Sequence, residues 1–309
     1  SICEGAIKID ELKDKAKELK INSLALCDTS NLCGAVEFSD KLSKVGTQPI
    51  IGTQINFKFG DTVGLLPLYA LSEEGYKNII ELSSLSYLKN DKLSDPHLDF
   101  DELLRKNIGV ALFSGTTNGF FGKLFDKGKF NEIHDMYKRI KSKYNDRFYL
   151  EIQRHNDQNE LGFEKFNLKE SLELEIPIIA TNEVFYLNKD MYEAHDALIC
   201  IGNKTYVNEK DRIKLSDQHY FKTNLEMTEL FADLPEALEN NYNFPLRCNF
   251  RPLFSNPILP NISSEKGGNA DDVLKKNSLD GLKNKFDKIF GIKSNELKGN
   301  KKYIDYKDR

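Results

Sequence analysis

The stretch Ile9-Asp-Glu-Leu-Lys-Asp-Lys-Ala-Lys-Glu-Leu-Lys-Ile-Asn-Ser-Leu-Ala-Leu-Cys-Asp28 carries a helix pattern and then a strand pattern, and the fold is read from the repetition of that pair. Asp10 is the expected helix cap, and Leu12, Ala16 and Leu19 recur at four and three residues so that they share one face. Ser23–Asp28 is a short apolar run of the kind a buried strand shows. Similar runs lie at Pro49–Ile55, Leu65–Leu71, Gly109–Ser114, Phe148–Gln153 and Pro177–Thr181, most of them followed by a helix-like stretch. The longest helices are predicted near Phe130–Tyr144, Glu160–Leu174 and Met191–Ile201. Repeated strand–helix units predict an α/β fold with parallel strands and helices outside, as a barrel or a doubly wound sheet. No internal repeat points to a solenoid.

A chain of 309 residues has room for one large domain or two ordinary ones. Its 39% apolar and 30% charged residues fit a soluble globular protein, and no run approaches the eighteen or so apolar residues of a membrane span. Mean hydropathy is −0.52. Cys3, Cys27, Cys33, Cys200 and Cys248 are scattered singly with no CxxC, which predicts a reducing, cytoplasmic compartment. The chain starts at Ser1 and its first residues, SICEGAIKID, lack signal-peptide blocks, so it reads as a fragment.

Charge divides unevenly. From Val273 to Arg309 there are 11 Lys and Arg against 5 Asp and Glu, a net of +6, whereas residues 1–272 carry a net of −10. The basic tail could touch nucleic-acid phosphates, or it could be an ordinary solvated helix face. Five of the nine prolines lie between Pro235 and Pro260, and Gly267-Gly268 follows, so residues 256–272 are expected to be an extended connector with a second, truncated unit beyond.

In barrels of this kind ligands gather where the strands end. The polar residues after the strand runs are Asp28, Thr29, Gln54, Ser114 to Thr116, Glu151, Arg154, His155, Asn182 and Glu183. One histidine and three acids are poor provision for a hydrolytic metal cluster. Asp28 is read as a helix cap or turn residue before a metal ligand, and His155 as a solvated loop histidine before a metal or phosphate ligand. His195, His134 and His97 are read as structural or solvent-facing. Ser114-Gly-Thr-Thr-Asn-Gly119 could cradle a phosphate at a helix start but lacks the Lys-Ser/Thr ending of a P-loop. With no HExxH, GxSxG, GxGxxG or His-x-His, these features alone reach a cytosolic βα-repeat domain, a degenerate hydrolase at most.

Several blocks resemble a known family. LALCDTSNLCGAVEF (24–38), QPIIGTQ (48–54), ALSEEGYKNIIELSS (70–84), FYLEIQRH (148–155), IPIIATNEVFYL (176–187), EAHDALICI (193–201), HYFKTNLEMTELFADLPEALENN (219–241) and NPILPNISSEKGGNADDVLKK (256–276) are similar to the N-terminal region of bacterial replicative DNA polymerase III alpha subunits. The first domain of those subunits belongs to the polymerase and histidinol phosphatase (PHP) family. The resemblance implies a distorted (β/α)7 PHP barrel over residues 1–255 that lacks its first strand. After the connector 256–272, it implies the start of the polymerase palm over 273–309. The palm carboxylates, and the Mg²⁺ they use, would lie outside this chain.

The departures from the family pattern are as informative. The first-strand His-x-His of metal-binding relatives is absent, while Glu4 sits where they carry an acid. Their histidine after the aspartate at Asp28 is Thr29, their GxE acid is Gln54, and the histidine of their next strand is matched by Leu65. Their Ser-Gly-Cys ends here in Thr116, and their Asn-Asp-Val-His becomes Asn182-Glu183-Val184-Phe185. Asp28, His155 and Glu183, with Glu4, are the remaining candidate ligands, and no metal is expected. The resemblance therefore implies a metal-free scaffold that supports the polymerase, docks the proofreading exonuclease and meets other replisome subunits, with DNA reached through the parent protein. The alternative is a 3′–5′ exonuclease or phosphoesterase using Mn²⁺ or Zn²⁺. A free-standing small-phosphate hydrolase shares the fold family but not the block at 219–276.

Overall fold

The structure, a computed structural model, describes residues 4–90, 94–257, 269–293 and 296–308. The chain forms two compact units, Ser1–Phe254 and Ser255–Arg309. In the first, α1 (Ile9–Glu18), β1 (Ser23–Thr29), α2 (Ala35–Ser43), β2 (Gln48–Phe59), β3 (Thr62–Ala70) and α3 (Glu73–Leu88) come in that order. They are followed by β4 (Leu98–Asp99), α4 (Phe100–Arg105), β5 (Val110–Phe113), α5 (Phe120–Asp126), α6 (Phe130–Tyr144) and β6 (Phe148–Ile152). The unit ends with α7 (Glu160–Leu174), β7 (Ile178–Ala180), α8 (Tyr192–Asn203), α9 (Asn224–Leu230) and α10 (Pro235–Asn243).

The sheet runs β1-β2-β3-β5-β6-β7, with β4 on β2. It is curled, because Leu26, Ile50, Tyr69, Phe113, Glu151 and Ile179, one from each strand of that order, line a single cavity. Both faces are covered. On β6, Phe148, Leu150 and Ile152 pack outward against helices, while Tyr149 packs inward with Ile50, Tyr69, Phe113 and Ile179. Burial on both faces makes such strands read as continuous apolar runs. The inner face is plugged at the end where β1 and β6 begin by Phe244, whose ring lies 5.7, 5.1 and 5.7 Å from those of Tyr69, Phe113 and Tyr149. That plug leaves the opposite end, where β1 and β6 finish, as the open mouth.

The helices follow their apolar spacing. On α6, Ile133, Met136, Tyr137, Ile140 and Tyr144 form one buried stripe. At the far edge of the sheet, Asn240 and Asn241 of α10 donate their side-chain amides to the carbonyls of Ile178 and Ala180 at 2.8 and 2.7 Å.

Three expectations need correction. The strands are not all parallel: β3 runs antiparallel to both β2 and β5. Its direction is reversed by the two-residue connection Gly60-Asp61, with Gly60 at φ 58, a tight hairpin that replaces a helical crossover. Gly64, just beyond, has no room for a side chain, since a Cβ would lie 2.5 Å from the Cα of Phe120 at the start of α5. Asp10 is not the cap of α1; Lys8 holds that position, and Asp10 sits in the first turn, 2.9 Å from Lys41, where an acid favours the helix dipole. Asp28 is not a cap either: it lies within β1, and α2 is preceded by Gly34.

In the second unit, α11 (Ala270–Phe290) and α12 (Lys301–Asp308) pack around Phe286, Leu297 and Tyr303. The helix α11 begins inside the segment expected as an extended connector, because Asn269 Oδ1 accepts the Asp271 N–H and starts the first turn early. Residues 258–268 of that segment lie outside the described residues. No described helix is long and apolar enough to cross a membrane, and Cys27, Cys33, Cys200 and Cys248 are free thiols.

Candidate functional site

The open end of the curled sheet holds a cavity of about 430 Å³ whose polar lining includes Asp28, Gln54, Thr116, Glu151, Glu183 and Lys222. The strand register explains the convergence. Thr29 at the end of β1 stands opposite Gln54 of β2, and Gln54 Nε2 donates to Thr29 Oγ1 at 3.1 Å. Thr29 Oγ1 in turn donates to Glu4 Oε2 at 2.8 Å. The segment carrying Glu4 is held by the Ala6 N–H, 2.7 Å from the Phe185 carbonyl, and by His195 Nε2, 2.7 Å from the Glu4 carbonyl.

Glu151 points into the same mouth from β6, almost wholly buried, and its Oε1 accepts from Gln153 at 3.1 Å and from the Thr181 hydroxyl. Burial raises its pKa, with the Thr181 and Gln153 hydrogen bonds opposing. Glu183 has 28% of its side chain exposed, but that exposure opens onto the cavity. Desolvation there pushes its pKa up to about 7; His219 opposes the shift, and Glu151, Asp157 and Glu4 add to it. Lys222 is brought down to about 8, chiefly by burial. It donates to Asn182 Oδ1 at 3.1 Å and to the Gln218 carbonyl.

Of the residues picked out from sequence, Asp28, Gln54, Thr116, Glu183 and Phe185 line the cavity, and Glu4 and Thr29 are hydrogen-bonded to its wall. Leu65 lies on β3 opposite Asn56 and adds no polar atom to the mouth. Phe185 stacks on His195 at 5.5 Å. Thr116 Oγ1 accepts the Asn118 N–H at 3.2 Å, and the Gly119 N–H goes to the Thr116 carbonyl at 3.0 Å. The stretch before α5 therefore spends two of its amides on its own turn.

His155 departs furthest from expectation. It is no solvated loop residue but is 1% exposed, and its ring stacks on that of His219 at 4.1 Å with 5° between planes. Burial, then the neighbouring His219 and Lys222, lower its pKa to about 3, so it is neutral at physiological pH. Sequence reasoning missed His219 and Asp157 altogether. The one available signal for His219 was its position at the head of the conspicuous block 219–241.

A multi-metal hydrolytic centre does not fit the family's ligand positions in this chain. Hydroxyl, amide, aliphatic and phenyl groups stand at Thr29, Gln54, Leu65, Thr116 and Phe185, and the Thr29 and Gln54 side chains are engaged with each other and with Glu4. Those five positions supply neither charge nor imidazoles for divalent ions, which leaves Asp28, His155, Glu183 and Glu4 as the residues of the family pattern that retain ligand atoms.

A curled α/β sheet with its polar residues gathered at one mouth is the setting in which the family match falls. The PHP domain family matches residues 1–155, and the chain belongs to that family. Several relatives that it resembles along nearly its whole length are DNA polymerase III alpha subunits. It is 36% identical over 291 residues to the DNA polymerase III subunit alpha of Caulobacter vibrioides, covering 92% of this chain and 26% of that one. It is 36% identical over 283 residues to the subunit of the same name from Rickettsia conorii, covering 91% of this chain and 24% of that one. The Vibrio cholerae subunit is 32% identical over 295 residues, covering 94% and 25% respectively. The chain thus spans about a quarter of the length of the curated relatives it matches.

Proposed function

We propose that this chain is the PHP portion of a replicative DNA polymerase III alpha subunit and acts as a non-hydrolytic scaffold. In this role it supports the polymerase and docks the proofreading exonuclease subunit alongside other replisome proteins in the cytoplasm. The observation that carries the reading is the chain of hydrogen bonds from Gln54 through Thr29 to Glu4, which occupies positions where metal-binding relatives present ligands. A wall tied together in this way is rigid without a metal cluster, and its groups are committed to one another instead of to a water nucleophile. Nucleotidyl transfer, with its Mg²⁺, belongs to carboxylates outside this chain. On the same reading residues 273–309 begin the palm, residues 256–272 join it to the PHP barrel, and DNA is met through the parent protein and the basic segment after Val273.

The test is single-stranded DNA hydrolysis by the chain under Mn²⁺, with and without chelator, beside the polymerase rate of the parent subunit carrying Asp28→Asn. No hydrolysis and an unchanged polymerase rate are expected. Chelator-sensitive cleavage abolished by Asp28→Asn or Glu183→Gln would overturn the scaffold reading in favour of a 3′–5′ exonuclease.

A further inference from the structure

We propose that His155, a ligand candidate of the family pattern, joins Asp157 and His219, which lie outside that pattern, in a binding site for a single transition-metal ion of the zinc class that fastens the loop after β6 to the segment leading into α9. One ligand atom from each of the three residues lies within 4.8 Å of the others. Both histidines are 1% exposed.

The hydrogen bonds around the rings settle which nitrogens face the site. Asn182 donates its amide to the Tyr220 carbonyl at 2.9 Å, which leaves Oδ1 as an acceptor. His155 Nε2 lies 3.0 Å from that oxygen and must carry the proton, so the lone pair of the neutral ring is on Nδ1. His219 Nδ1 lies 3.2 Å from the Glu183 carbonyl and likewise must donate, which places the lone pair on Nε2. A ring nitrogen donating to a carbonyl while the other faces inward is the arrangement that orients histidine ligands.

His219 Nε2 is buried and has no hydrogen-bond partner; the nearest carboxylate oxygen, Asp157 Oδ2, is 3.9 Å away, too far for one. A buried ring nitrogen with no hydrogen-bond partner thus faces a carboxylate oxygen, an arrangement that a bound cation completes. Two imidazoles and one carboxylate suit zinc-class ions over Mg²⁺ or Ca²⁺, which take oxygen ligands.

Binding asks for a modest adjustment. Ligand atoms about 2.05 Å from a tetrahedral ion are roughly 3.3 Å apart. Two parallel rings share no point in their planes, so the stacked pair has to fan open. The loop carrying Asp157 has residues in left-handed conformation on both sides, Asn156 at φ 63 and Asn159 at φ 64. Its neighbour Arg154 already grips the other end of α9, through Asp233 at 2.6 Å and the Leu230 carbonyl at 2.7 Å. The ion would close the inner side of a clamp whose outer side is an ion pair.

The test uses the full 309-residue chain, stripped with chelator and titrated with Zn²⁺ by calorimetry and with Co²⁺ by visible absorption. One equivalent should bind, with tetrahedral-type Co²⁺ bands and a rise in melting temperature that saturates at that equivalent. Asp157→Asn, which keeps shape at a partly exposed position, should weaken binding by about a hundredfold or more while leaving the apo circular dichroism unchanged. His219→Gln should do the same. His134→Gln, which disrupts the separate surface group of His134, Glu170 and Glu173, should change nothing. Absence of stoichiometric binding, or binding that survives Asp157→Asn, overturns the proposal. DNA cleavage that depends on Asp28 or Glu183 but not on His219 would instead overturn the scaffold reading and leave this site standing.

Discussion

Replacing Glu183 by Gln should change the pH dependence of stability more than stability itself. Glu183 has a folded pKa of about 7 against an ordinary value of 4.5. Between those values the folded protein holds a proton that the unfolded chain has released, so stability declines as pH rises through that interval and levels off above about 7. At about 1.36 kcal/mol per unit, the decline between pH 5 and pH 8 comes to about 2.5 kcal/mol. Gln keeps the volume and cannot ionise, so the variant gains on the wild type by about that amount across the same range. Urea denaturation followed by circular dichroism at several pH values, with chelator present, reads the difference directly. Curves for the two proteins that stay parallel from pH 5 to pH 8 would show that Glu183 ionises like a surface carboxylate, and the account of a desolvated mouth would be wrong.

Phe244→Ala should cost about 3–5 kcal/mol by urea denaturation, because it removes the 5%-exposed plug from among Tyr69, Phe113 and Tyr149; a loss under 1 kcal/mol, by order of magnitude, would mean the inner core closes without it. Arg154→Met should destabilise by about 2–3 kcal/mol, since it strands the nearly buried Glu164, held at 2.7 Å, while Asp233 is left to solvent. Its unfolding should grow more sensitive to proteolysis between residues 224 and 234, and a cleavage pattern identical to wild type would argue against the clamp.

The strands and long helices were legible because their signals are local. Phe130–Tyr144 and Glu160–Leu174 are helices within the bounds their spacing predicts, and the apolar runs at Phe148 and Pro177 mark real strands. Strand direction is not a local property, and β3 shows why: its run reads the same either way, and the cue is Gly60-Asp61, between strands that extend past their apolar runs into Asn56–Phe59 and Thr62–Gly64. The wall residues Thr29, Gln54 and Glu4 could be named from the family pattern, but their hydrogen bonds depend on strand register. His155 and His219 are 64 positions apart and share no spacing motif, so only the folded chain brings their rings together.

The amides of Asn240 and Asn241 bear on how other proteins can approach. They satisfy the outward carbonyls of a three-residue edge strand, the groups that would otherwise serve as a template for an incoming chain. Augmentation of the sheet is closed off at that end by the protein's own side chains. A neighbour arriving on this flank must recognise helix surfaces, where single substitutions can retune affinity without putting the register of the sheet at risk.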